Sequence, residues 1–255
     1  MKKLGSIINS IFPIVIFFIL LGIWEFAVES EMVSRFILPS PTDIFQVFRD
    51  DYKVLLGHLY VTLFEAMIGL GIGIIIGILV AILMERFDSV KKVMYPLIIL
   101  TQTVPTIAIA PLLVLWLGYD ILPKVVLIVL TTFYPVAVGV FEGFQSIDED
   151  YITLLDSMGA SEFQKFRYLK IPATAPNFFS ALKISASYSV VGAVIAEWLG
   201  GFRGLGVYMT RVKKAYAFDK MFAVIIIISI LSLVLIVLVD LLRRMILRWE
   251  YIEKE

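Results

Sequence analysis

The chain has 255 residues, of which 60% are hydrophobic and only 17% charged, and its 22 basic and 22 acidic side chains leave no net charge. Soluble domains carry about 25% charged residues, and the apolar excess here falls in blocks long enough to cross a bilayer, which takes about 20 helical residues each. The composition therefore predicts an all-α, polytopic membrane protein of one domain. It gives no hint of nucleic acid, and the absence of Cys excludes disulfides, thiolate metal sites and cysteine nucleophiles.

Met1-Lys2-Lys3 before an apolar run imitates a secretory signal. The run from about Ile11 to Val28 is long for one, and it passes into Trp24-Glu25-Phe26 without a small-x-small cleavage site, which favours an uncleaved first span. Hydropathy places six spans near 9–28, 59–84, 93–117, 122–143, 177–199 and 221–243. On one side fall Lys2, Lys3, Arg86, Lys91, Lys92, Lys165, Arg167, Lys170, Arg243, Arg244, Arg248 and Lys254. They slightly outnumber Arg35, Arg49, Lys53, Lys124, Arg203, Arg211, Lys213, Lys214 and Lys220 on the other. With the basic tail, this bias sets both termini in the cytoplasm.

In the first outside loop, Leu38-Pro39-Ser40-Pro41-Thr42 forms a turn with Pro41 suited to a helix start. Ile44, Val47, Phe48 and Leu55 then recur at helical spacing, predicting a surface helix from Asp43 to Leu56 that seals the outer rim or docks a partner. In span 2, Gly69, Gly73, Gly77 and Ala81 make a smooth face for close packing, within the subunit or against a second copy. Span 3 is interrupted by Pro96, Pro105 and Pro111 and carries Thr101, Gln102, Thr103 and Thr106 at membrane depth. A broken polar helix belongs at a bundle interior or cavity, as a pathway wall or as a kink. Span 5 is rich in small residues, among them Ser185 and Ser189, and span 6 is almost wholly Ile, Leu and Val, as a lipid-facing helix would be.

Charges within spans are costly. Glu25 and Glu142 lie near span ends within reach of the interface, and Lys183 can snorkel. Glu65 and Glu197 have either a pathway role or a structural one. No ionisable pair is evident at the midplane, and the one His, His58, lies at an outer span end. That counts against an ion-coupled carrier and against a membrane-embedded enzyme.

The best-specified polar segment is 144–176. Asp148, Glu149 and Asp150 open a helix where its dipole favours acids, and Ile152, Leu155 and Met158 give it a narrow apolar stripe. Gly159 suits the left-handed position that ends it. Ser161 caps a second helix with Gln164 as capping-box partner. Phe163, Phe166 and Leu169 form one face of that helix, and Pro172 is expected to end it. The pattern suits a docking helix or a helix lying on the inner leaflet.

The stretch Thr153-Leu154-Leu155-Asp156-Ser157-Met158-Gly159, nine residues, then Leu169-Lys170-Ile171-Pro172, resembles the EAA loop of ABC importer permeases in its Gly-to-Pro spacing. Thr153-Leu154-Leu155 departs from that loop's Glu-Ala-Ala. Leu38-Pro39-Ser40-Pro41, Pro105-Thr106 with Ala110-Pro111-Leu112, Ala196-Glu197 with Gly204-Leu205-Gly206, and the closing Arg243-Arg244 are similar to permeases of the nitrate, sulfonate, taurine and thiamine-pyrimidine-precursor branch. The resemblance implies a non-catalytic translocation subunit without cofactor or metal, moving a small polar organic solute by alternating access. It implies homodimerisation, an extracytoplasmic solute-binding protein, and a cytoplasmic ATPase dimer that receives Gly159, Ala160, Ser161, Phe163, Phe166 and Pro172. The chain has no Gly-x-x-x-x-Gly-Lys-Ser/Thr phosphate loop of its own. The candidate path residues, read from the broken span 3, the small-residue span 5 and the acids within spans, are Thr101, Gln102, Thr103, Thr106, Ser185, Ser189, Glu65 and Glu197. A self-contained ion-coupled carrier is the alternative.

Overall fold

The structure, a computed structural model, describes residues 2–249, with side chains from Phe12 to Trp249. Lys2, Lys3 and Lys254, counted in the charge bias, have side chains outside the described residues. The described residues form helices alone: α1 Lys2–Glu29, α2 Pro41–Asp50, α3 Tyr52–Arg86, α4 Asp88–Thr103, α5 Thr106–Leu117 and α6 Ile121–Gln145. After these come α7 Glu149–Ser157, α8 Glu162–Lys165, a π-turn Phe166–Lys170, α9 Ile171–Leu199, α10 Leu205–Lys214 and α11 Phe218–Ile246. Five helices are long and apolar enough to cross a membrane, and the pair α4 and α5, bent by 97°, makes a sixth when taken as one broken span.

α6 is the hub, packed along α3 on one side and α9 on the other, while α11 lies against α9. The α3–α6 seam is close because α3 turns its glycines to it. A methyl on Gly77 would stand 2.8 Å from Val136 Cβ and 2.9 Å from the Phe133 carbonyl, and Gly69 and Gly73 meet Ile128 and Thr132 in the same way. The small-residue face therefore packs within the subunit. Ala81, Met84, Val136, Ala137 and Val140 continue that core towards one end of the molecule.

Several expectations are corrected. Of the three prolines in span 3 only Pro105 breaks the helix, because Pro96 and Pro111 sit inside α4 and α5. The surface helix stops at Asp50, and Leu55 already belongs to α3, which starts at Tyr52. Residues 200–220 are not a plain loop, since they contain α10. α11 buries one stripe, with Val224, Leu231, Leu235 and Val239, and leaves most of its other large apolar side chains exposed.

Pro172 does not end the second hairpin helix. A single rod of 38 residues runs from Glu162 to Leu199. The Ile171 N–H donates to the Phe166 carbonyl five residues back, and this widened turn passes the Pro172 ring without a break.

At the end opposite the 144–171 hairpin, α2 is fastened by its own sequence. Pro41 starts it, Ser40 and Asp43 form a reciprocal capping box, and Glu25 of α1 accepts from the Thr42 hydroxyl at 2.6 Å. Ile44 and Val47 then bury against Leu205, Tyr208, Val212 and Val224, joining α2 to α10 and α11.

Candidate functional site

Three regions hold the residues singled out from the sequence. The first is the hairpin. α7 closes in a Schellman arrangement, with Gly159 N–H donating to the Asp156 carbonyl at 2.9 Å and Ala160 N–H to the Leu155 carbonyl at 3.0 Å. Gly159 has φ +75°, and a side chain there would meet no neighbour, so the position constrains conformation rather than space. Ser161 caps α8 with both halves of the capping box present. Where Thr153 stands in place of an acid, the two hairpin helices are joined by Lys165, whose ammonium reaches Asp156 at 2.7 Å and also pairs with Glu162. Lys170 binds Glu85 of α3 at 2.7 Å and fastens the π-turn to the bundle.

So held, the hairpin leaves apolar side chains in the open: Phe163 and Met158 are each 74% exposed, and α7 buries nothing. Phe163, Phe166 and Leu169 do not form one open face: Phe163 is exposed, whereas Phe166 and Leu169 are half-buried and Phe166 packs inward on Phe144 with ring centroids 6.1 Å apart.

The second region is the bend at Pro105. It opens a cleft of about 300 Å³ lined by Thr101, Gln102, Thr106, Thr131 and Tyr188. A larger one of about 500 Å³ lies beside it along α6 and α9, lined by Gln102, Tyr134, Glu142, Asn177, Ser180 and Tyr188. Proline has no N–H to offer, so the last carbonyls of α4 have no helical donor beyond the bend. Thr101, Gln102 and Thr106 thus come together on one wall, and Thr103 is exposed beside them with its hydroxyl on the Leu100 carbonyl at 2.8 Å.

Ser185 and Ser189 stand apart from both clefts. They are fully buried between α9 and its neighbours and donate to the carbonyls of Thr132 and Ala186, at 2.9 and 2.8 Å. The structure therefore makes them packing groups, not walls of these clefts. Tyr188 was missed. A lone Tyr among the small residues of span 5 was the available signal.

The third region is a buried polar node at the far end of the same rod. Glu197 Oε2 accepts from Gly206 N at 2.6 Å, Oε1 accepts from the Thr62 hydroxyl at 2.7 Å, and the Thr62 oxygen accepts from Leu205 N at 2.8 Å. His58 Nδ1 accepts from Gly204 N at 3.1 Å. Together these cap the N-terminus of α10, which lacks a capping side chain of its own, with a carboxyl where the dipole favours it. Gly204, at φ +123°, is required because any side chain would run into the Glu197 carboxyl.

Glu65 pairs with Lys124 at 2.6 Å, both nearly inaccessible. Lys124 is therefore no outside-loop cation and the spans do contain an ionisable pair. Asp120 as N-cap and Pro123 in the first turn were the sequence signs that α6 had already begun. Glu65 and Glu197 line neither cleft. Lys183 meets Asp240 of α11 at 2.8 Å. Among the described residues no group of His, Cys, Asp and Glu is arranged to hold a metal.

Comparison with known proteins agrees with this architecture. Residues 73–249 match the family described as binding-protein-dependent transport system inner membrane component. The chain is 36% identical over 239 residues to the formylaminopyrimidine transport permease ThiX of Halalkalibacterium halodurans, covering 93% of this chain and 95% of that one. It is 28% identical to the putative aliphatic sulfonates transport permease SsuC of Bacillus subtilis, covering 97% of this chain and 89% of the other. A chain of the MetNI methionine ABC transporter in an inward-facing conformation superposes with a TM-score of 0.60 at 19% identity, over 76% of this chain and 94% of that one. The chain belongs to the family of inner-membrane components of binding-protein-dependent transport systems and is a permease subunit of an ABC importer.

Proposed function

We propose that this permease works as a pair of identical subunits, that a separate ATPase dimer seats on the α7–α8 hairpin in the cytoplasm, and that a solute-binding protein delivers cargo at the opposite end. The observation that carries the reading is the hairpin itself. It is fastened internally by the Gly159 turn, the Ser161 cap and the Lys165 pairs, yet it presents Met158 and Phe163 uncovered. A rigid element with exposed apolar side chains is built to be gripped. Both termini then lie in the cytoplasm, with Arg86, Arg167 and Arg244 at the inner surface.

The solute is a small polar organic molecule of the formylaminopyrimidine kind. The relative transporting that compound is 36% identical, against 28% for the sulfonate permease. The two clefts are lined by neutral amides, hydroxyls and aromatic rings without a basic side chain, and Glu142 on the larger one would repel an anion. The path runs past Thr101, Gln102 and Thr106. Replacing Gly159 by Val should abolish ATP-driven uptake in vesicles holding the complete transporter, while the permease still inserts and still purifies with normal helical content. Normal uptake in that variant would remove the hairpin from the coupling role.

A further inference from the structure

The two clefts at the bend share Gln102 and Tyr188. Gln102 stands in the last turn of α4 before the break, and Tyr188, 48% exposed, stands midway along α9. Neither makes a hydrogen bond to any described residue. Three of the hydroxyls around them are engaged, whereas those of Thr106 and Tyr134, each on one cleft only, are free like Tyr188. Thr101, Thr131 and Ser180 each turn back to a carbonyl of their own helix, at 2.6, 2.8 and 2.9 Å. Asn177 and Glu142 are also without partners, but they lie near the hairpin end of the larger cleft, where the spans meet water. A free amide and a free phenol deep in a span are costly unless something polar reaches them. Both are therefore left to a visitor.

We propose that Gln102 and Tyr188 form the waist that reads the solute in passage, and that they select a planar heteroaromatic ring with donors and acceptors along its edge. This rests on the solute class proposed above. The Tyr188 ring offers a flat apolar face for stacking. The Gln102 carboxamide presents a donor and an acceptor side by side, which matches the edge of an aminopyrimidine. An alkyl sulfonate has no ring to stack and finds no cation on either wall. In a pair of identical subunits each of these groups occurs twice around the path, so a flat solute meets a ring on both faces.

The test uses the complete transporter, with permease, ATPase and binding protein, in phospholipid vesicles. Radiolabelled formylaminopyrimidine is the probe, and the readout is solute moved per ATP hydrolysed. Tyr188→Leu and Gln102→Leu should each lower that ratio about tenfold, the worth of one lost contact of this type. Tyr188→Phe, which keeps the ring, should restore most of it, and Ser187→Ala, on no cleft wall, should leave it at the wild-type value. Wild-type ratios in both leucine variants would overturn the waist. A ratio as low in Tyr188→Phe as in Tyr188→Leu would overturn the stacking role. Wild-type vesicles that take up taurine but not the pyrimidine would overturn the solute class itself, which separates that failure from failure of the waist.

Discussion

Two ion pairs show how differently the same chemistry behaves at different depths. Arg35 and Asp43 meet at the surface, with Arg35 Nε donating to Asp43 Oδ2 at 2.8 Å. That guanidinium holds the Asp43 carboxyl at about 2, well below the usual carboxylate range. The folded state thus favours the charged form, so the contribution is complete above pH 4–5 and is lost as the pH falls towards about 2. Solvent screening keeps it small. Thermal melting of the purified protein between pH 5 and pH 2.5 should show this loss, and Asp43→Asn should remove that part of the slope. Glu65 and Lys124 are sealed between α3 and α6. Lys124→Ala strands a buried carboxyl and should cost about 3–5 kcal/mol, whereas Glu65→Leu with Lys124→Leu should cost clearly less. A double-mutant cycle on melting temperatures in detergent measures the difference.

At the scale of elements, glycine acts in two distinct ways. In α3 it provides space. Gly77→Leu would drive into Val136 and the Phe133 carbonyl and should cost about 1–3 kcal/mol, whereas Gly71, which faces open space, should accept Ala with little change in melting temperature. In the hairpin it provides conformation. Gly159 has room around it but a left-handed backbone, so coupled uptake should fall in the order Asn, Ala, Val at that position.

Most of this was legible in local chemistry. Pro41 at a helix start, Ser161 with Gln164 and the Gly159 turn are decided within a few residues, and the structure contains each of them. What was hidden depends on partners far along the chain. Pro172 reads as a stop until the π-turn gives its ring room. Lys124 reads as a loop cation until Glu65, 59 residues earlier, is seen beside it. Ser185 and Ser189 look like path residues by composition alone, yet Ser185 donates across to the Thr132 carbonyl of α6 and Ser189 back to the Ala186 carbonyl of its own helix, so both hydroxyls are already used.

On the scale of the whole molecule, one wall of the bundle is unfinished. α6 and α9 bury their α3 and α11 faces, yet the surface bearing Tyr134, Val138, Ile184 and Tyr188 borders open clefts at membrane depth. A second copy placed there would close a path between two identical walls. The chain contains no Cys, so single cysteines give a clean test. Ile184→Cys should form a disulfide-linked dimer on mild oxidation in membranes, and Leu233→Cys, on the outer face of α11, should remain monomeric on the same gel. The reverse pattern would move the subunit interface to α11.

The unbroken rod from Glu162 to Leu199 has a mechanical consequence. At about 1.5 Å per residue its 38 residues reach close to 57 Å, so one piece of backbone touches both surfaces of the membrane. Its wide turn at Phe166–Lys170 and the helix-internal Pro176 both lie close to one end, and beyond them the helix runs on to Leu199 without a proline. In the proposed assembly a push on Phe163 would reach Glu197 as a tilt, because no loop lies between them. The same tilt would pull on the three amides that Glu197, Thr62 and His58 hold at the start of α10. In the proposed assembly, the motor on one side and the latch on the other are two ends of one crankshaft, and neither can shift without the other registering it.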